Sequence, residues 1–237
     1  MITQHRVRRI HPRPRSATAV VSLAALAMVA GGCGAAADEP QAVDAASAPQ
    51  SAGVPINRSA LDPAAKAAVT APEVNAIDPQ LPMTNASRFS AVVVGKVLGV
   101  ADGPRFVDYE GDTEPGPDWV VLEVEPVAVL RGEERVGDPI HVRLTLSDRE
   151  GLEKAIPPGT LAFVAAQPVD PADDQHLADP YAGVPAGKTR YIAGAPYVAV
   201  ADGPGRIWYP VSGQSYDRPL TALVPGDLAP LLPAELR

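Results

Sequence analysis

Cysteine is almost missing from this chain of 237 residues: Cys33 is the only one. A disulfide within the chain is thereby excluded, so any fold outside the cytosol must stand on packing alone. Aromatic residues are scarce at 5%, and all of them fall between Phe89 and Tyr216. Any sizeable core must therefore be built there. Histidine is limited to four residues, His5, His11, His141 and His176. No Gly-x-Ser-x-Gly elbow and no His-Glu-x-x-His pair occurs. The run Gly203-Pro204-Gly205-Arg206 reads as a turn, because a phosphate cradle needs a strand before it and a helix after it. Long hydrophobic runs are absent too. Ala17–Ala30 spans about fourteen residues, and a membrane-crossing helix needs about twenty.

What is there begins at the N-terminus. Arg6, Arg8, Arg9, Arg13 and Arg15 precede that apolar run, with no acid among them, and Gly31-Gly32-Cys33 follows it. A basic segment, a short apolar segment and small residues make a secretory signal peptide, here residues 1–32. The residues Ala30-Gly31-Gly32-Cys33 resemble the lipobox of bacterial lipoproteins, with Ala30 where that family favours Leu. The resemblance covers residues 1–33. It implies a diacylglyceryl group on the Cys33 sulfur, cleavage before Cys33 and acylation of the new amino group. Two or more acyl chains hold a protein stably at a membrane. The expected location is extracytoplasmic, anchored to the cell membrane.

Cleavage removes five of the 20 basic residues and none of the 28 acidic ones, which takes the net charge from -8 to -13. Such a surface repels nucleic acid, so no nucleic-acid partner is expected. Residues 33–86 are rich in Ala, carry seven scattered prolines and hold no aromatic. This composition predicts a lipidated Cys33 followed by a disordered tether.

Residues 87–237 then form one domain, long enough for a single core. Its pattern is β. Ala91–Val100 is Val-rich with Gly95 in the middle, which suits a strand buried on both faces or kinked at the glycine. Val120, Leu122 and Val124 alternate with Glu123 and Glu125, and past Pro126 the apolar phase moves to Val127 and Val129, as a bulge would require. Ile140, Val142, Leu144 and Leu146 alternate with His141, Arg143 and Thr145, predicting a half-buried strand with a solvated His141. Further strands are expected at Leu161–Ala166, Tyr191–Val200 and Arg206–Val211, with short helices at Asp148–Lys154 and 226–235. The pentapeptide Val-Ala-Asp-Gly-Pro occurs at 100–104 and at 200–204. Each copy stands between β runs, so each is predicted to be a hairpin turn. The expected class is all-β, mainly antiparallel, a small barrel or sandwich with a short C-terminal helix. The layout, with its long bent strand ending in Val129-Leu130-Arg131-Gly132-Glu133, resembles secreted OB-fold-like domains.

Candidate sites are few. The segment Asp170–Asp179 holds Asp173, Asp174, His176 and Asp179, and oxygen donors of this kind suit calcium, but the spacing is not that of an EF-hand. Asp108–Asp118 is a second acidic loop. Trp208, Tyr209 and Tyr216 are candidate ligand contacts, because neighbouring strand residues face opposite ways and one aromatic could be left outside, although packing of both Trp208 and Tyr209 in the core is the favoured reading. The reading is a non-catalytic binding or envelope-associated lipoprotein, with no cofactor and an unidentified envelope protein or ligand as partner. Its rivals are an envelope hydrolase or metal-dependent enzyme built on Asp173, His176 and Asp179, and a small solute-binding lipoprotein.

Overall fold

The computed structural model describes residues 53–69, 86–106, 118–146 and 148–237. The signal segment, Cys33, most of the acidic loop 108–118 and the side chains of Asp173 and His176 lie outside the described residues. All described residues belong to one compact unit, Pro49–Arg237.

Among the described residues nine strands form the fold: β1 Ala91–Phe106, β2 Asp118–Arg131, β3 Ile140–Leu144, β4 Leu161–Pro168, β5 Leu177–Ala178, β6 Arg190–Ala193, β7 Val198–Ala201, β8 Ile207–Tyr209 and β9 Gln214–Tyr216. Five of them close a barrel in the order β1-β2-β3-β6-β4, with β4 returning to β1. The β3–β6 pair is parallel and the other pairs are antiparallel. Two short helices accompany the strands, α1 at Pro63–Ala68 and α2 at Arg149–Ala155. Helix α2 joins β3 to β4, and its Leu152 and Ala155 enter the inner core. The fold is thus a small all-β barrel, within the expected class. Strands β7, β8 and β9 extend it from β4.

Bulges bend the long strands enough to close the barrel. Gly95 faces Pro126 and Val94 faces Ala128, which leaves Val127 as the extra residue at the predicted phase change. Gly95 is required there, because a Cβ would lie 2.7 Å from the Glu125 carbonyl oxygen. The first Val-Ala-Asp-Gly-Pro is a second bulge and not the predicted turn. Asp102 pairs with Val120 and Arg105 with Asp118, so Gly103 and Pro104 together oppose Trp119 inside a continuous β1. Proline has no N–H to give a ladder, and a bulge accommodates it. The second copy is a turn: Asp202 N–H donates to the Arg206 carbonyl at 2.9 Å, and Gly203 has φ +81°.

Two cores result. The inner one fills the barrel with Val93, Val97, Leu122, Val142, Val164 and Trp208. The outer one packs Val92, Val94, Phe163 and Tyr209 beneath Leu220, Leu223, Leu232 and Leu236. This is why β1 is apolar on both faces. The C-terminal cover is built from single 3₁₀ turns at Leu220–Leu223, Ala229–Leu231 and Ala234–Leu236, in place of the expected short helix. Pro225, Pro230 and Pro233 break any longer run.

The expected tether over 33–86 is corrected at residues 53–69, which pack on the barrel as a strap. Asn57 N–H donates to the Gly159 carbonyl at 2.8 Å, and Lys96 Nζ donates to the Val54 carbonyl at 2.9 Å. Within the strap, α1 is capped by the Asp62 side chain, which accepts from Ala64 N–H. Leu61 and Val69 flank the helix, are buried, and join the inner core beside Leu152 and Ala155. The Asp202 carboxylate accepts from Leu61 N–H at 2.8 Å and from Lys66 Nζ. Two apolar side chains and one buried carboxylate suffice to order a segment whose composition alone predicts disorder.

Candidate functional site

A cleft of about 440 Å³ opens at one end of the barrel, between the β2–β3 loop and residues 186–189 that lead into β6. Glycines shape both walls. Gly132, Gly137 and Gly187 have positive φ, and a Cβ on Gly132 would meet the Ser90 carbonyl oxygen at 2.7 Å. Gly137 N–H donates to the Pro126 carbonyl at 2.9 Å, which ties the loop back to the bulge in β2.

Two pairs hold the cleft from opposite walls. The Tyr191 hydroxyl donates to Glu134 Oε1, and Lys188 Nζ donates to Asp138 Oδ1. Burial raises the Tyr191 phenol pKa, and the adjacent Glu134 raises it further, so the phenol stays protonated. The Lys188 ammonium lowers the Asp138 carboxyl pKa. Glu133 and Arg135 stand at the rim. Glu134 Oε2 is buried and, among the described residues, has no hydrogen-bond partner. Both signs of charge and a neutral hydroxyl therefore face one concavity.

His141 stands next to Ile140 of this cleft, facing outward from β3. It is buried, at 4% exposed, which corrects the solvated strand histidine expected from alternation. All five residues of β3 are buried, because the chain around 174–190 covers the outer face of β3. Burial lowers the imidazole pKa, opposed in part by Glu123, whose Oε1 lies 3.8 Å from Nε2, and reinforced by Lys188. Its Nδ1 is buried with no hydrogen-bond partner among the described residues.

That cover also accounts for the acidic segment. Asp174 forms ion pairs with Arg143 at 3.6 Å and Arg190 at 2.5 Å, and both guanidinium groups donate to the Pro180 carbonyl, at 2.9 and 3.0 Å. Arg143 lies over the Trp119 ring at 5.3 Å, and Arg190 lies over Tyr181 at 4.0 Å. Asp170 caps a 3₁₀ turn through Ala172 N–H, and Asp179 is exposed with φ +47°. Thus the described carboxylates of this segment do separate structural tasks. Arg143 of β3 and Arg190 of β6 share the one Asp174 carboxylate and the Pro180 carbonyl.

The aromatic candidates Trp208 and Tyr209 are core residues. Trp208 and Tyr209 do face opposite ways, but both faces are covered, and they are 1% and 0% exposed in the inner and outer cores. Tyr216 is half-buried and packs edge-on against Tyr209, with ring centroids 5.8 Å apart. None of the three belongs to the cleft. Glu134, Asp138, Lys188 and Tyr191 do, and no local motif marks them, since their pairings join positions 50 and 57 residues apart. The only signal in the sequence is two charged, glycine-bounded turns at 132–138 and 183–188. No protein-family model, curated protein or solved structure matches this chain.

Proposed function

We propose that this protein is a lipid-anchored extracytoplasmic binding module, held at the cell membrane through Cys33, whose barrel-end cleft contacts a polar ligand or envelope protein. The observation that supports it is the cleft's preorganisation. Glu134, Tyr191, Asp138 and Lys188 are fixed to one another across the two walls, so a partner meets side chains that need little further ordering. The net charge of -13 after cleavage favours a partner other than nucleic acid. About 20 residues separate Cys33 from the strap, a reach of at most roughly 70 Å.

The test has two arms. Cys33→Ala is expected to move the protein from the membrane fraction to the soluble fraction, and mass spectrometry of the wild type to find acylated Cys33. In intact cells, a photo-cross-linker at Glu133 is expected to give a discrete product that disappears in Lys188→Glu. An unchanged cross-linking pattern in that variant would remove the cleft from the reading and leave the anchor standing.

A further inference from the structure

A second concavity, of about 310 Å³, lies on the outer wall where the strap, the Asp202–Arg206 turn and the C-terminal turns meet. Its floor is apolar, with Val94, Leu161, Leu220 and Leu236 among its lining side chains. Two guanidinium groups stand at its rim. Arg58 donates to the Glu235 carbonyl at 2.8 Å, and Arg237 donates to the carbonyls of Leu232 and Pro230 at 2.9 and 2.8 Å. A guanidinium carries five N–H donors, so these bonds fix each group in place and leave donors to spare. Glu235 is the one acidic side chain in the lining, against the two guanidinium groups of Arg58 and Arg237.

An apolar floor beneath a fixed cationic rim suits an amphiphile with an anionic head. The planar fork of arginine matches a carboxylate. The volume lies at the small end of the roughly 300–1,000 Å³ range of ligand pockets, which favours one chain over two. The wall that carries the groove includes Asn57 and Arg58, the part of the barrel unit nearest in sequence to the proposed anchor. We propose that the groove binds a single acyl chain bearing a carboxylate head, with Arg58 and Arg237 on the carboxylate and the apolar floor around the chain. The proposal rests on the lipoprotein reading only for the supply of such a ligand at a membrane surface.

The experiment uses the mature chain carrying Cys33→Ser, so that no attached lipid competes and the outcome does not depend on anchoring. cis-Parinaric acid is titrated below its micellar concentration. Saturable binding at one site per chain is expected, with displacement by palmitate and not by hexadecanol or butyrate. Arg58→Glu combined with Arg237→Glu is expected to weaken binding at least tenfold, and Ala201→Trp, which fills the groove, to abolish it, with circular dichroism unchanged in whichever variant is read. Absence of saturable binding, equal displacement by the alcohol, or binding that survives Ala201→Trp would each overturn the proposal. Preferential binding of two-chain phospholipid vesicles would overturn it as well. Failure of Cys33 to be acylated in cells would leave this result untouched.

Discussion

Lys66 and Asp202 form an ion pair across 136 positions of sequence, with side chains only 12% and 2% exposed. The same carboxylate accepts from Leu61 N–H, so one residue of the β7–β8 turn holds both ends of the strap's docking contact. Burial by itself would raise the Asp202 pKa, but the Lys66 and Leu61 bonds outweigh it and the pKa lies below the ordinary value. Breaking a buried pair from one side strands the other charge and costs about 3–5 kcal/mol. Asp202→Ala is therefore expected to lower stability by about that amount in denaturant unfolding. Asp202→Asn keeps an acceptor for Leu61 and should lose less. Asp102→Asn, at the matching position of the other pentapeptide, alters a side chain that is 84% exposed and should change stability by at most about 0.5 kcal/mol. Because the folded pKa is depressed, the Asp202 contribution is present above its unfolded value, near 3.9, and is lost as pH falls through the folded value.

The two glycines of the repeat should fail for different reasons. Gly203 sits at φ +81°, and a Cβ there would come no nearer than 3.5 Å to its closest neighbour, the Ala60 side chain. Gly203→Ala therefore carries mainly backbone strain, about 1 kcal/mol. Gly103 has no positive φ, but its Cβ would lie 2.7 Å from the Trp119 carbonyl oxygen. Relief requires β1 and β2 to separate at the bulge, so Gly103→Ala is expected to cost more than Gly203→Ala. Unfolding midpoints of the two variants rank them, and the reverse order would contradict the bulge.

These two positions also show how far the sequence carries. Strand alternation within β2, the bulge at Pro126, the short helix near 148–155 and the all-β class are legible, because each depends on neighbours two to four residues away. Identical pentapeptides take different structures because the partner strand decides: β2 runs past 100–104, while the chain folds back on itself at 200–204. His141 departs from expectation for a physical reason. Period-two alternation assigns a residue to a face, and it says nothing about whether distant chain covers that face. The cleft is hidden for the same reason, since Tyr191 and Glu134 become neighbours only when β6 lies beside β3.

Tyr191→Phe removes the donor to Glu134, whose other carboxylate oxygen is already buried without a partner among the described residues. An unsatisfied buried acceptor costs about 1–3 kcal/mol, and that loss is expected at neutral pH. A phenol whose folded pKa is raised contributes stability below its unfolded pKa, near 10, and loses it as pH rises through the folded value. In an ultraviolet titration of the native protein the component that remains un-ionised past the main step should shrink by one tyrosine in Tyr191→Phe.

Burial keeps His141 neutral, with Glu123, Lys188 and Asp138 as its charged neighbours and Arg190 beside it in register on β6. A histidine with a depressed folded pKa gives full stability above its unfolded pKa, near 6.5, and loses it as pH falls through the folded value. Between about pH 7.5 and pH 5 the wild type is expected to lose more stability than His141→Leu does. The comparison is made in a His176→Gln background so that no second mature-chain histidine contributes. Equal slopes in the two proteins would mean that folding leaves the His141 pKa unchanged.

The strap sets the boundary of the folding unit. Without residues 53–69, the Leu61 and Val69 contacts with Leu152 and Ala155 are lost, and fully burying one such side chain is worth about 1.5–3 kcal/mol. Asp202 would also lose both of its partners, and the Gly159 carbonyl would lose the Asn57 N–H. A chain starting at Ser87 is therefore expected to be less stable than one starting at Gly34 by more than about 3 kcal/mol, even though it keeps every strand of the barrel. A chain starting at Pro49 keeps the strap and should match the longer one. Denaturant unfolding of the three chains decides the matter. If Ser87 and Gly34 starts share a midpoint, the strap contributes nothing and residues 53–69 belong to the tether after all. If the Pro49 start is also weakened, residues before it contribute contacts of their own.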